Sequence, residues 1–385
     1  MRSRAYVLLL AAARALRAPA AGRRRGRPLA AAPGAAPELR PCAIRVVGVG
    51  GGGCNAVSRM VRGGVRGVDF WCVNTDAQAL AGIDPASAGL HIGQRLTRGL
   101  GAGGEPGVGR DAARESAADI AEMVRGADLV FVTAGMGGGT GSGAAPVVAA
   151  AAKGAGALTV GVVTKPFGFE GRKRARQAVA ALEELEKAVD TLIVVSNDRL
   201  LSIVPADAPL GDAFLVADDV LRQGIVGVSE IIVKPGLINV DFADVRSVMQ
   251  DSGAALIGIG TGRGPRRAED AAVAAISSPL LEAPVLNARG IVFNVVGGPS
   301  MTLAEVDRAA RIIYENVDAD ANIIFGALVQ DGMGDELSIT VLATGIAATA
   351  LERAVSSAVD VRPLLPGVAK RAGRRRRVPA FLRRK

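Results

Sequence analysis

The apolar positions of this chain follow two spacings. Short runs at residues 44–49, 68–73, 129–132, 158–163 and 192–195 are apolar almost throughout and rich in β-branched residues. Such runs read as strands buried on both faces. Between them the apolar residues recur at helical spacing, predicting helices over 55–62, over the Ala/Val-rich stretch that ends near Lys153, and over 172–187. Strands that alternate with helices imply a doubly wound parallel α/β sheet, with ligand loops at the carboxyl ends of the strands. Leu210, Phe214, Leu221, Ile225, Val228 and Ile232 then mark one long helix over 210–233, stopped by Pro235-Gly236. Beyond it, a helix at 268–276 and strands at 290–296, 322–328 and 337–343 predict a second, smaller α/β domain.

Glycine clusters interrupt this pattern at the strand ends. The run GGGTGSG at 137–143 lies between an apolar strand and an Ala-rich helix. Glycines there let backbone N–H groups close on an anion, and the helix N-terminus adds partial positive charge. Thr140 and Ser142 are expected to donate hydroxyl bonds to phosphate oxygens. Two further glycine loops sit at 48–53 and 99–109. Gly48, Gly50 and Gly53 also satisfy GxGxxG, and Asp76 lies at the end of the next strand, where a dinucleotide fold places its ribose-binding acid. An NAD-dependent oxidoreductase therefore stands as the alternative. Against it, three glycine loops can surround a triphosphate, whereas a dinucleotide site uses one. No GK[ST] string marks a P-loop.

Charge and composition narrow the classes. The net charge of +9 resides in the termini: residues 1–40 carry nine arginines and one glutamate, and residues 347–385 carry eleven Lys/Arg and two acids. The middle is acidic, and aromatics make up 3 %, which argues against a nucleic-acid module. A single His91 removes histidine metal sites and Ser-His-Asp chemistry. Cys42, Cys54 and Cys72 lack metal-ligand spacing, so no metal site is expected and a reducing compartment fits. No apolar run reaches the roughly 20 residues that cross a bilayer. The Arg-rich, acid-poor residues 1–40 read as a cleavable targeting segment, with the stretch 5–13 able to serve as a signal-peptide core in a bipartite leader. A basic extension without an address is the alternative.

The motifs GVGGGGCNAV, NTDAQAL, GLGAGGEP, GGGTGSG, VTKPFGFEGRKR and NVDFADVR occur in this order. Together they resemble the FtsZ family of tubulin-like division GTPases, over roughly residues 44–346 and the last eight. NDRLL at 197–201 and ADDVLRQG at 217–224 are similar to its cyanobacterial and plastid branch, so the leader implies a plastid stroma, with the mitochondrial matrix as the other address. The resemblance implies a GTP-binding domain at 41–205, a central helix at 206–235 and a C-terminal domain at 236–346 carrying the catalytic loop. It further implies a basic linker at 347–377 and a docking peptide at 378–385. Gly51, Gly52, Gly103, Gly104, Gly138, Gly139, Thr140 and Gly141 are expected around the phosphates of GTP or GDP, with Asn55 nearby. Glu170 and Arg174 are expected at the ribose, and Asn197, Phe214 and Asp218 at the base. Mg2+ is expected to travel with the nucleotide. Phe214 and Asp218 share a helix face, and a carboxylate there accepts from guanine N1–H and N2–H, donors that adenine lacks as a pair. Ordinary packing explains Phe214 equally, and a solvated ion pair explains Glu170–Arg174.

No general base lies inside the glycine loops. Asp241 and Asp244, with Asn239, follow the central helix, and the resemblance implies that they act on the nucleotide of the next subunit in a head-to-tail filament. N-capping of a helix is the competing explanation for two acids at a helix start. Self-assembly, co-assembly with a second chain of the family, and a membrane-tethering protein held by VPAFLRRK are the partners implied. Arg374–Arg377 either touch an anionic membrane surface or are merely solvated. Cys54 is read as a small filler, not a nucleophile.

Overall fold

The computed structural model describes residues 42–200, 209–234, 236–238, 240–278, 280–281, 285 and 288–346, with the backbone alone over 210–217. Its strands are β1 (Ile44–Val49), β2 (Asp69–Asn74), β3 (Ala88–His91), β4 (Leu129–Gly135), β5 (Leu158–Lys165), β6 (Thr191–Ser196), β7 (Gly253–Arg263), β8 (Gly290–Gly297), β9 (Asn322–Val329) and β10 (Glu336–Thr344). The principal helices are α1 (Gly50–Arg62), α2 (Pro106–Glu115), α3 (Ala117–Val124), α4 (Gly139–Gly154), α5 (Arg172–Ala188), α6 (Leu210–Val233), α7 (Phe242–Met249), α8 (Arg267–Ile276) and α9 (Leu303–Tyr314). Among the described residues no helix is long and apolar enough to cross a membrane.

The strands form one sheet in the order β3-β2-β1-β4-β5-β6-β7-β10-β8-β9. Its first six members are all parallel. The strand order reverses between β1 and β4, and this switch point is where an open α/β sheet leaves a crevice for a ligand. β7 continues the sheet in parallel through Thr191, Leu192 and Ile193 of β6, then pairs antiparallel with β10, which pairs antiparallel with β8.

Strand β4 shows why the apolar runs lack alternation. Val130, Val132 and Ala134 pack into the layer formed by α2–α5, while Leu129 and Phe131 pack into the opposite layer beneath α1, α6 and α7. Both faces are covered, so apolar residues occupy both and Thr133 is the strand's one polar side chain. The central helix α6 buries Leu221, Ile225, Val228 and Ile231 on that second layer. At roughly 1.5 Å per residue its 24 residues span about 36 Å.

Three corrections to the sequence expectations share one cause. The first helix begins at Gly50 rather than 55, the third glycine loop ends at Glu105 because α2 starts at Pro106, and β7 was not expected at all. In the first two cases glycine is taken as a loop residue, and in the third the glycines of β7 interrupt the apolar run that marks a strand. In β7 the glycines at 258, 260 and 262 point one way, and a Cβ on any of them would overlap backbone of α8 at Ala275, Ala271 or Arg267. The facing side of α8 is alanine at 268, 271, 272 and 275. A helix therefore lies against a strand with almost no side chain between them.

Arg267 fixes that helix to the rest of the second half. It is 6 % exposed, donates through Nε to Glu305 Oε1 at 2.7 Å, and contacts Ser300 Oγ at 3.2 Å. Glu305 also accepts from Thr302 N–H, capping α9. The Arg267 bond holds the Glu305 carboxyl down at about 2. A depressed carboxylate contributes stability above its unfolded value of 4.5, and that contribution is lost as pH falls through 2. Arg267→Met strands a largely covered carboxylate and is expected to cost about 3 kcal/mol in urea denaturation at pH 7. The gap from the parent chain should narrow as pH falls from 4.5 toward 2; a gap independent of pH would contradict this assignment.

Candidate active site

A cavity of about 290 Å³ opens at the switch point. Its floor is backbone: Gly51 and Gly52 follow β1, Gly135 ends β4, and Met136 and Gly138–Gly141 follow it. Both following helices begin within this floor, α1 at Gly50 and α4 at Gly139, and neither N-terminus has a side-chain cap. Their first-turn N–H groups are the orphan donors of two helices, aimed at one space with two partial positive ends. Such a cradle selects an anion with several oxygens.

The glycines here are of two kinds. Gly50 adopts φ +72°, and a Cβ on it would sit 2.7 Å from Gly141 N, so the two loops touch backbone to backbone. Gly51 and Gly138 instead have open space where a Cβ would lie. The first kind brings the two helix ends together; the second leaves room for the ligand.

The hydroxyls divide in the same way. Thr140 lines the cavity and shares a 2.7 Å hydrogen bond with Thr75. Ser142 does not line it: it is 1 % exposed and its Oγ accepts from Gly137 N at 2.8 Å. Its role is to close the turn, which corrects the expectation that it donates to phosphate. Asp76 is likewise taken up, capping the short helix Ala77–Ala81 through Gln78 N and Ala79 N. It is not among the cavity's lining residues, and the dinucleotide alternative loses its ribose acid.

Polar side chains gather at one end of the cavity. Glu170 and Arg174 form an ion pair on its wall, and Glu170 Oε1 also accepts from Phe167 N at 2.9 Å. Asn197, at the end of β6, is 6 % exposed, and its Oδ1 has no protein partner. An orphaned buried amide in a cavity wall is suited to a ligand's donor. Asp218 enters from α6 and pairs with Arg59 Nε at 3.0 Å. Burial pushes its carboxyl up to about 6, opposed by the Arg59 charge.

The expected site is therefore mostly assembled, with exceptions. Asn55 is exposed on α1 and Gly103 and Gly104 stand beside the cavity; none of the three lines it. Gly104 packs near Gly139, and its carbonyl accepts from Gln177 Nε2 at 3.2 Å. The Phe214 side chain and Asn239 lie outside the described residues. Asp241 and Asp244 are exposed and are not in the cavity; Asp241 caps α7 by accepting from Asp244 N at 2.9 Å. The capping explanation is thus met in the single chain. Arg59, Thr164 and Pro166 were missed. Thr164 and Pro166 were legible in principle, since they stand at and just past the carboxyl end of a parallel strand beside the switch point. Arg59 follows Asn55 by one helical turn.

Cys54 is 4 % exposed. A hydrogen bond with Cys72, together with burial, pushes its thiol well up, which agrees with its reading as a filler. Among the described residues no group of three His, Cys, Asp or Glu side chains is placed to hold a metal ion.

Comparison with known proteins matches this geometry. The family model described as Tubulin/FtsZ family, GTPase domain, matches residues 43–205, and that of the FtsZ family, C-terminal domain, matches residues 253–347. The structure of an empty FtsZ dimer from M. jannaschii is 43 % identical, covers 81 % of this chain and 90 % of its own, and superposes with a TM-score of 0.77. A mutant of FtsZ from the same organism gives 44 % identity over 80 % of this chain and 92 % of its own, with a TM-score of 0.77. The fold extends to CetZ2 of Haloferax volcanii, at 24 % identity over 83 % of this chain and 98 % of its own, with a TM-score of 0.68. With two of the family's domain models matched in order and a 43 % identical relative covering most of its length, the chain belongs to the tubulin/FtsZ family and carries that family's GTPase domain.

Proposed function

We propose that the chain is a self-assembling GTPase whose subunits stack head to tail, each hydrolysing GTP with acids supplied by the next. One observation carries this reading: the cavity and the acids lie at opposite ends of α6. Asp218 lines the cavity, and from there α6 runs on to Val233, about 22 Å at 1.5 Å per residue. Asp241 and Asp244 follow beyond it, exposed. Within one chain they are out of reach of the phosphates. A second copy stacked in the same orientation brings them over the cradle, and such a heterologous contact repeats into a filament. Both ends expose large apolar side chains that a contact would bury, Leu96 (51 % exposed) and Leu100 (84 %) beside the glycine loops and Leu237 (70 %) beside the acids. The M. jannaschii relative, solved as a dimer, supports association between copies.

The residues divide the work. The N–H groups of Gly51, Gly52 and Gly139–Gly141 hold the phosphates. Glu170 and Arg174 orient the ribose, and Asn197 and Asp218 read guanine, with Phe214 on the same helix face as Asp218. From the neighbouring subunit Asp241 and Asp244, with Asn239, orient and deprotonate the attacking water. A Mg2+ ion would be carried by the phosphates themselves, with the Thr140 hydroxyl in the cavity lining as a protein oxygen available to it, and would supply charge neutralisation there when bound. Residues 1–40 direct import into a plastid, where the filament forms the division ring, alone or with a second chain of the family. Residues 378–385 dock a membrane-tethering protein.

Asp241→Ala or Asp244→Ala is expected to bind GTP with unchanged affinity and to form filaments, yet to lose at least about a hundredfold in turnover. Sedimentation and phosphate release check this; loss of nucleotide affinity equal to the loss of turnover would contradict it. Asp218 generates a second prediction. Its native value of about 6 lies above the ordinary 3.8, so its ionisation weakens the empty fold as pH rises between those values, and a bound guanine offsets the cost. Guanine recognition uses the ionised form. GTP affinity should therefore fall by about tenfold per pH unit below 6, and Asp218→Asn should remove that slope together with discrimination against ATP. A slope that survives in Asp218→Asn would assign the titration to another group.

A further inference from the structure

We propose that Lys153 is a positioning residue for the catalytic acids, an ionic tie between the helix that starts in the phosphate cradle and the helix that presents Asp241 and Asp244. The inference rests on the role given to those acids above. Helix α4 begins at Gly139 on the cavity floor and carries Lys153 in its last turn. Lys153 Nζ lies 3.0 Å from Asp190 Oδ1 and 2.8 Å from Asp251 Oδ1, and donates to Val189 O at 3.2 Å. Asp190 is 5 % exposed and is itself held, its Oδ2 accepting from Thr159 N at 2.8 Å. Asp251 follows Gln250, the C-cap of α7, and Asp241 caps the other end of the same eight-residue helix.

The backbone at Asp251 gives an independent sign that this tie matters. Its φ is +48°, and Arg98 is the other non-glycine residue with positive φ among those described. An aspartate persists in that conformation where its surroundings hold it. Lys153 is the charged group that does so. Two hydrogen bonds to backbone carbonyls reinforce the same joint: the Arg246 guanidinium donates to Gly156 O at 3.0 Å, and Thr191 donates to Met249 O at 2.5 Å. The foot of α7 is thus clamped to the foot of α4 and the start of β6, about 12 Å along the helix from Asp241. A tilt at the clamp moves the acids relative to the neighbour's phosphate, where about 1 Å of misplacement can cost a hundredfold.

The test uses full-length protein and measures GTP affinity, filament mass and turnover for Lys153→Met. The expected result is unchanged affinity, unchanged KM and a fall of about tenfold in kcat. Lys153→Arg should recover most of the loss. Asp251→Asn, a change at an exposed position, should reproduce it, and the double variant should be no worse than either single. A role confined to general stability would not respond to mixing. Gly138→Val subunits have a filled cradle but intact acids, and adding them should restore turnover at the cradles of Lys153→Met. Weakened GTP affinity with kcat unchanged, or no restoration in the mixture, would overturn the inference. Asp241→Ala measured alongside separates the two layers. If that variant turns over normally, the reading of the acids falls and this inference with it. If it is inactive while Lys153→Met turns over normally, this inference alone falls.

Discussion

The structure depends on a close approach of backbone to backbone. At the switch point between β1 and β4, the first turns of α1 and α4 meet with glycine at Gly50 and Gly141, and no side chain could be added to Gly50 without displacing the other loop. That contact sets two helix N-termini on one cavity. Each brings orphan N–H groups and a fraction of a positive charge, so the floor binds an anion without a lysine or arginine in it. Because the floor is backbone, its geometry is fixed by the sheet beneath it. Ser142, buried outside the cavity lining, reinforces this by accepting from Gly137 N–H.

A floor of this kind binds phosphate but offers no general base. The carboxylates near the cavity are committed: Glu170 to Arg174 and the backbone at Phe167, Asp218 to Arg59. The acids left for hydrolysis stand beyond the far end of α6. The length of that helix therefore separates binding from chemistry. On the proposed reading, a lone subunit holds its nucleotide intact, and contact with another subunit completes the site. The clamp at Lys153, Asp190 and Asp251 makes the same separation precise, since Lys153 at the foot of the cradle helix holds Asp251, just past the acid-bearing helix, at 2.8 Å and Asp190, just before β6, at 3.0 Å.

Much of this was legible in the sequence. The strands buried on both faces announced themselves because parallel sheets covered by helices have no polar face, as β4 shows. The central helix was read with the bounds Leu210–Val233, as its apolar spacing is unbroken and Pro-Gly follows it. What was not legible traces to glycine. Propensity treats it as a loop former, yet in α1, α4 and β7 it occurs inside regular structure because another backbone lies against it. Tertiary packing of that kind leaves no trace in local pattern. In the site, residue type alone could not tell Thr140, which faces the cavity, from Ser142, which faces away. Nor could it find Arg59, whose pairing with Asp218 joins elements about 160 residues apart.

The central claim is that hydrolysis belongs to a contact between two subunits. The most direct measurement is GTP turnover per subunit as a function of protein concentration, at saturating GTP, with assembly followed by light scattering in the same samples. A shared site predicts almost no turnover at low concentration, then a steep onset that coincides with assembly. Turnover per subunit that is constant down to concentrations where no assembly is detected would contradict the account and place a complete active site within one chain.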